Sequence, residues 1–332
     1  MRLLTPKTKH LKPKIVFLIG PTAVGKSDLA LLLAEKLNAE IISCDSMQVY
    51  KGMDILSCKP DKDMRRKERH HLLDVVSPEQ EFSVAQYRVK AINTVKQIHK
   101  RKKIPLFVGG CGLYMSVVVD GIFKQADRDE NLRQALYAQA EKFGSGYLHD
   151  KLKSVDESAA EKIHPNDTKR IIRALEVYKL TGKPISLLQR ERRGLWDKYD
   201  IKIFGLNIGR QELYERINSR VEQMFACGLV DEVKKLLRLK LSLTCAQAIG
   251  INEIKGFLEG KSTQEEAKEL LKKNTRHYAR RQLTWFRKDK RIIWLCASKR
   301  KDIVARIITG AALITSKGIL SARCQIIKQL LS

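Results

Sequence analysis

The residues with the clearest chemical potential are Gly20, Pro21, Thr22, Ala23, Val24, Gly25, Lys26 and Ser27, which match G-x-x-x-x-G-K-[ST] at every specified position. In such a loop, backbone N–H groups at a helix N-terminus face an anion, the lysine reaches over it, and the serine hydroxyl can hold Mg²⁺. The pattern carries that meaning only between a strand and a helix. Both are predicted: Ile15–Ile19 is a short apolar run of strand character, and Leu29–Leu37 is an Ala/Leu-rich helical stretch. The loop is therefore read as the site of a diphosphate or triphosphate.

Asp45 is the second candidate. It follows Ala39–Cys44, a predicted buried strand, and in an open α/β sheet the carboxyl ends of the strands carry the site. A third strand, Ile104–Val108, runs into Gly109-Gly110-Cys111-Gly112 and carries no carboxylate there. Nucleotide-hydrolysing enzymes place a second Mg²⁺-holding acid at such a strand end. One lone Asp45 suits a general base better, although a Mg²⁺-ligand role as in small-molecule kinases stays open.

These elements predict an α/β fold: a parallel sheet of the P-loop NTPase type with flanking helices and a mainly helical insertion. The core is expected over 14–121 and 199–297, because strand character returns at Tyr199–Ile208 and again at Ile292–Leu295. The stretch 122–198 is charged and helical in pattern, with a helix at Lys169–Leu180 after His164-Pro165-Asn166-Asp167-Thr168. Helices are predicted at Ser83–Lys100, Arg210–Ala226, Val230–Arg238 and Thr263–Phe286. Residues 1–13 read as a basic arm, Lys59–His71 as a polar connection, and 298–332 as a basic amphipathic tail without a motif.

Composition narrows the partner. Sixty-four Lys and Arg against 37 Asp and Glu leave a net charge of +27, which favours a polyanion, nucleic acid before membrane. No apolar stretch approaches the ~20 residues of a membrane span, and no signal peptide is apparent. The 7 cysteines include no C-x-x-C pair, which argues against a zinc site and for a reducing cytoplasm. His70, His71 and His164 lack metal-ligand spacing, and structural roles are expected for them.

A further constellation lies in the last long helix. At ~100° per residue, Arg276, Arg280 and Arg287 share one stripe, while Tyr278, Gln282 and Trp285 share another. Cations beside aromatics suit a folded RNA with exposed bases; a solvated basic face with Trp285 in the core is the competing possibility.

Taken together, several segments resemble the tRNA dimethylallyltransferase (isopentenyl-tRNA transferase) family of bacterial type. They are Gly20–Ser27, Ile42–Ile55, His70–Asp74, Gly109–Tyr114, Ile163–Asp167, Arg173–Glu176 and Arg281–Arg287, in that order. The resemblance runs from about Lys14 to Leu295. It implies transfer of a dimethylallyl group from dimethylallyl diphosphate to N6 of the adenosine 3′ of the anticodon in tRNA, with diphosphate released and Mg²⁺ as cofactor.

By the same resemblance, Asp45 is the base, and Lys26, the loop amides and Arg220 act on the diphosphate. The implied tRNA contacts are Asp45, Ser46, Met47, Gln48, Cys111, Arg133, Lys169, Arg170, Ile171, Ile172 and Arg173, then Gln247, Ala248, Ile249, Gly250, Ile251 and Asn252. Arg280, Arg281, Gln282, Leu283, Thr284, Trp285, Phe286 and Arg287 complete the set. The 122–198 insertion would grip the anticodon arm of the tRNA, and a monomer is expected. Two departures stand out: Cys111 replaces the family's threonine, and Gly250-Ile251 replaces its Gly-Tyr. A phosphate-loop kinase or ATPase, and a non-catalytic RNA-binding protein, are the competing classes. The first predicts ATP turnover; the second has no need of Lys26 or Asp45.

Overall fold

The computed structural model describes residues 12–123, 129–297 and 300–312. Most of the expected basic arm, and the end of the chain beyond Ala312, lie outside the described residues. The first half of the core runs β1 (Lys14–Ile19), α1 (Lys26–Leu37), β2 (Ala39–Ser43), α2 (Lys62–Lys67), β3 (His70–His71), α3 (Val84–Lys100), β4 (Ile104–Gly109) and α4 (Gly112–Val119). Four helices follow: α5 (Glu130–Val155), α6 (Glu157–Ala160), α7 (Thr168–Thr181) and α8 (Ile185–Arg190). The chain then returns through β5 (Asp200–Asn207), α9 (Arg210–Ala226), α10 (Leu229–Leu236), α11 (Leu243–Ala246) and α12 (Ile251–Leu258). It closes with α13 (Gln264–Phe286), β6 (Ile292–Cys296) and α14 (Arg300–Ala312).

The six strands form one parallel sheet in the order β3-β2-β4-β1-β5-β6. Parallel strands covered on both faces must be apolar throughout, and Ile15–Ile19 are all at most 1% exposed. Phe17 on β1 stacks on Phe107 of β4 at 4.4 Å, which sets the two central strands side by side. The β1 chain crosses α1 to β2 and leaves a gap that β4 later fills. That crossing opens the crevice at the carboxyl ends of β1, β2 and β4.

Two expectations change here. The connection before His71 contains α2 and the edge strand β3, held by charge rather than by apolar burial. Buried Glu40 on β2 accepts two hydrogen bonds from Arg101, at 2.9 and 2.7 Å, and one from His71 Nε2 at 2.6 Å. These bonds hold the Glu40 carboxyl down at about 2, while burial lowers His71, so a neutral imidazole donates to a carboxylate. His71 is thus structural. The tail also departs from expectation as far as Ala312: Ile303, Val304, Ile307 and Ala311 are buried in the same core as β5 and α1. Lys14 Nζ donates to Ala311 O at 2.7 Å.

The chain divides into two compact units. One comprises residues up to Val118 and from Trp196 onward; the other is Val119–Leu195, a few residues earlier than the pattern suggested. The smaller unit is helical around Leu136, Leu148, Leu152, Ile171, Ile172 and Leu175. Its α5 turns at Gly144, where φ is 84°. Fully buried Glu176 anchors it: Arg133 binds both carboxylate oxygens at 2.8 and 2.9 Å, Arg173 adds a bond at 2.5 Å, and Asp129 N–H donates at 3.1 Å. Among the described residues no helix is long and apolar enough to cross a membrane.

A buried carboxylate with two cations loses several kcal/mol when its partners are stranded, whereas an exposed pair contributes little. Glu176→Ala is therefore expected to cost about 3–5 kcal/mol in equilibrium denaturation. Asp63→Ala, which removes the exposed partner of Arg66, is expected to cost under about 1 kcal/mol in the same measurement.

Candidate active site

The phosphate loop joins β1 to α1, and α1 starts at Lys26 after Gly25 in the left-handed region at φ 93°. Lys26 Nζ turns back onto its own loop, donating to Gly20 O at 3.0 Å and Pro21 O at 2.6 Å. Burial first, and the charge of Arg220 second, bring its ammonium down to about 7; the negative charge of Asp45 acts the other way. Ser27 is exposed in the first turn and lines the same cavity.

Asp45 stands just past the end of β2. Its Oδ1 accepts from Met47 N–H at 2.9 Å, a short turn that fixes the carboxylate without neutralising it. Burial raises the Asp45 carboxyl above its ordinary value, opposed by that hydrogen bond and by Lys26. The segment after it is pinned from three sides. Gln48 accepts from Ser43 Oγ at 2.8 Å and donates to Ser57 O and Cys58 O. Glu232 on α10 accepts from the backbone amides of Asp54, Ile55 and Leu56. Lys59, almost fully buried, donates to Tyr50 O, Asp54 and Asp74.

The end of β4 shows why its glycines are needed. A Cβ at Gly109 would lie 2.1 Å from Cys44 O, and one at Gly110 would lie 2.1 Å from Gln282 Nε2. The approach matters because Gln282 bridges the site: its Nε2 donates to Gly110 O at 2.9 Å and its Oε1 accepts from Thr22 N–H at 2.9 Å. Thr22 Oγ1 in turn accepts from Arg220 Nη1 on α9 at 3.2 Å. The structure thus brings Lys26, Ser27, Asp45 and Arg220 to one cavity of about 290 Å³.

The family model described as IPP transferase matches residues 48–289. The chain is 45% identical over 302 residues to the tRNA dimethylallyltransferase of Halothermothrix orenii, covering 88% of this chain and 92% of that relative. It is 46% identical to the tRNA dimethylallyltransferase of Geobacter sulfurreducens, covering 89% and 96%. The chain belongs to the IPP transferase family. Among solved structures, the tRNA isopentenylpyrophosphate transferase of Bacillus halodurans is similar at a TM-score of 0.67 and 41% identity, covering 91% of this chain and 98% of that one. A eukaryotic dimethylallyltransferase described as acting on tRNA reaches 0.76 at 29% identity, covering 96% and 84%.

The remaining residues singled out by the family resemblance divide by burial. Ser46, Met47, Gln48, Gln247, Ala248, Ile249, Arg281 and Gln282 line the cavity. Lys169, Arg170, Asn252, Arg280, Thr284, Trp285 and Arg287 are exposed. Several side chains are not available to a polyanion, and the expectation is corrected for them. Ile171, Ile172, Ile251 and Phe286 are core residues, at most 2% exposed. Arg133 and Arg173 are committed to Glu176. The stripe reading of α13 is also corrected: Gln282 is buried as a bridge and Trp285 is 40% exposed, so they do not act as one surface. Cys111 is half-buried, and burial pushes its thiol up to about 11. The pattern of carboxylates and glycines did not expose Glu232 or Lys59, nor the bonds that tie Thr22 of the loop to Gln282 and Arg220, because these partners are distant in sequence.

Gln282→Ala strands Thr22 N–H and Gly110 C=O together, and equilibrium denaturation is expected to show a loss of about 1–3 kcal/mol. Gln282→Glu keeps the acceptor for Thr22 N–H but sets a buried carboxylate oxygen against Gly110 O, so at neutral pH it should cost at least as much as Gln282→Ala.

Proposed function

We propose that this protein transfers the dimethylallyl group of dimethylallyl diphosphate to N6 of the adenosine 3′ of the anticodon in tRNA, releasing diphosphate. The observation that carries the proposal is the meeting of Lys26 and Asp45 in one cavity, while β4 ends in glycines with no carboxylate. A nucleotide-hydrolysing site needs metal-holding acids; a departing diphosphate needs cations and amide donors.

In this reading the loop amides, Lys26 and Arg220 stabilise charge that grows on the diphosphate as the allylic C–O bond breaks. Lys26 leaves Gly20 O and Pro21 O to do so. The adenine amine is a weak nucleophile because its lone pair is delocalised, and Asp45 takes its proton as the new C–N bond forms. A carboxyl raised by burial is a stronger base than a solvated one, which suits that task. Mg²⁺ fits the donor set as a diphosphate-borne ion. Among the described residues no three His, Cys, Asp or Glu side chains gather to cage a metal, and Mg²⁺ commonly keeps waters and substrate phosphates as ligands. Ser27 would hold it, and it would supply further positive charge to the leaving group. A reducing cytoplasm is supported by 7 cysteines without a C-x-x-C pair, and tRNA as the partner by the +27 charge.

Incubation with tRNA, Mg²⁺ and radiolabelled dimethylallyl diphosphate is expected to place label in tRNA. Asp45→Ala should lower the rate by about 10²–10⁴-fold, and tRNA binding should weaken steeply with salt. ATP hydrolysis without label transfer would overturn the proposal. The pH dependence has a definite sign. Lys26, with its pKa lowered to about 7, is protonated in the free protein below that value and neutral above it. Binding of inorganic diphosphate then draws a proton back onto Lys26, and affinity should fall as pH rises past about 7. Calorimetry in buffers of different ionisation enthalpy should show extra proton uptake at pH above that value in the native protein relative to Lys26→Met.

A further inference from the structure

The proposed reaction, on which this inference rests, requires an apolar seat for five carbons beside a polyanion. Helix α9 supplies both on one face. Arg220 reaches Thr22 of the phosphate loop, and Met224, four residues on and therefore one turn along the same side, lines the same cavity. One helical turn is ~5.4 Å, the scale separating a diphosphate head from the branched end of its alkyl group. Met224 Sδ lies 4.0 Å from Cys58 Sγ, and Cys58 also lines the cavity. Burial raises the Cys58 thiol, so this corner presents two neutral sulfurs.

The third member of the corner is Leu56. Its backbone amide is fixed by Glu232 Oε1 at 2.8 Å. Its side chain passes so close to Gly250 that a Cβ there would lie 2.3 Å from Leu56 Cδ1. Leu56 is therefore fixed at its backbone and packed on Gly250 at its tip, and it is only 8% exposed. A cavity of about 290 Å³ stands at the small end of ligand sites, which run ~300–1,000 Å³. It must hold diphosphate, alkyl group and adenine together.

We infer that Met224, Cys58 and Leu56 form the wall that seats the dimethylallyl group and limits the donor to one isoprene unit. Met224 is the adjustable member, because an unbranched thioether fills an irregular gap that Leu56 cannot. Removing a hydrophobic wall changes discrimination between homologous substrates by roughly 10–200-fold per methylene-scale difference.

The test compares dimethylallyl diphosphate with the ten-carbon geranyl diphosphate as donors to tRNA, alongside binding of inorganic diphosphate by calorimetry. Met224→Ala should raise the geranyl-to-dimethylallyl ratio of kcat/KM at least tenfold. Met224→Trp should weaken dimethylallyl diphosphate at least tenfold while inorganic diphosphate binds within twofold of the native protein. An unchanged donor ratio in Met224→Ala, or an effect confined to the KM for tRNA, would overturn the inference and assign the corner to the adenine. Equal loss of both anions in Met224→Trp would also overturn it, as damage to the phosphate loop. Absence of label transfer by the native protein would instead overturn the parent reading, so the two failures are distinguishable.

Discussion

Gln282 is the group through which three separate parts of the chain become one site. It donates to Gly110 at the end of β4, accepts from Thr22 in the phosphate loop, and belongs to α13, whose neighbouring Tyr278 and Arg281 face the same cavity. Thr22 extends the link to Arg220 on α9. A buried amide side chain with both ends bonded is rigid, since either bond broken leaves a polar group without water. The phosphate loop, the strand end that closes the crevice and two helices are thereby held in register.

Charge is divided between two uses. Several carboxylates are spent internally: Glu40 secures an edge strand, Glu176 the helical unit, Glu232 the loop after Asp45, and Glu253 the Gly250 turn through Gly250 N–H and Asn274. Asp45, held by the backbone amides of Met47 and Gln48 rather than by a paired cation, lines the cavity. The excess of Lys and Arg is left to give the protein its net +27 charge. Burial then brings the ionisation of Lys26 and Asp45 toward each other from opposite sides. That suits the proposed reaction, in which Lys26 would carry positive charge to the leaving group and Asp45 would remove a proton.

Much of the fold was legible because it rests on local rules. Apolar runs at Ile15–Ile19 and Ile104–Val108 can only be buried parallel strands once helices separate them, and α9 begins and ends where its pattern does. The edge strand β3 was not legible, since two histidines carry no strand periodicity and their pairing depends on Glu40, thirty-one residues from His71. The buried helix α14 was hidden in the same way. Its Ile303, Val304 and Ile307 are spaced for one face, as an amphipathic stretch requires, but no local signal says that β5 and α1 cover that face.

For the site, the order of residue types along the chain determined the phosphate loop, the lone Asp45 after a strand, and the polyanionic character of the partner. Those follow from backbone geometry and charge, which need no distant contact. Tertiary structure decided what the other residues do. Arg133 and Arg173 became internal partners of a buried carboxylate, Ile171 and Phe286 became core, and Gln282 became a bridge rather than a surface contact. Only the packed chain could decide this. An arginine reads the same in sequence whether its partner is a phosphate or a glutamate forty-three residues away, and burial chooses between them.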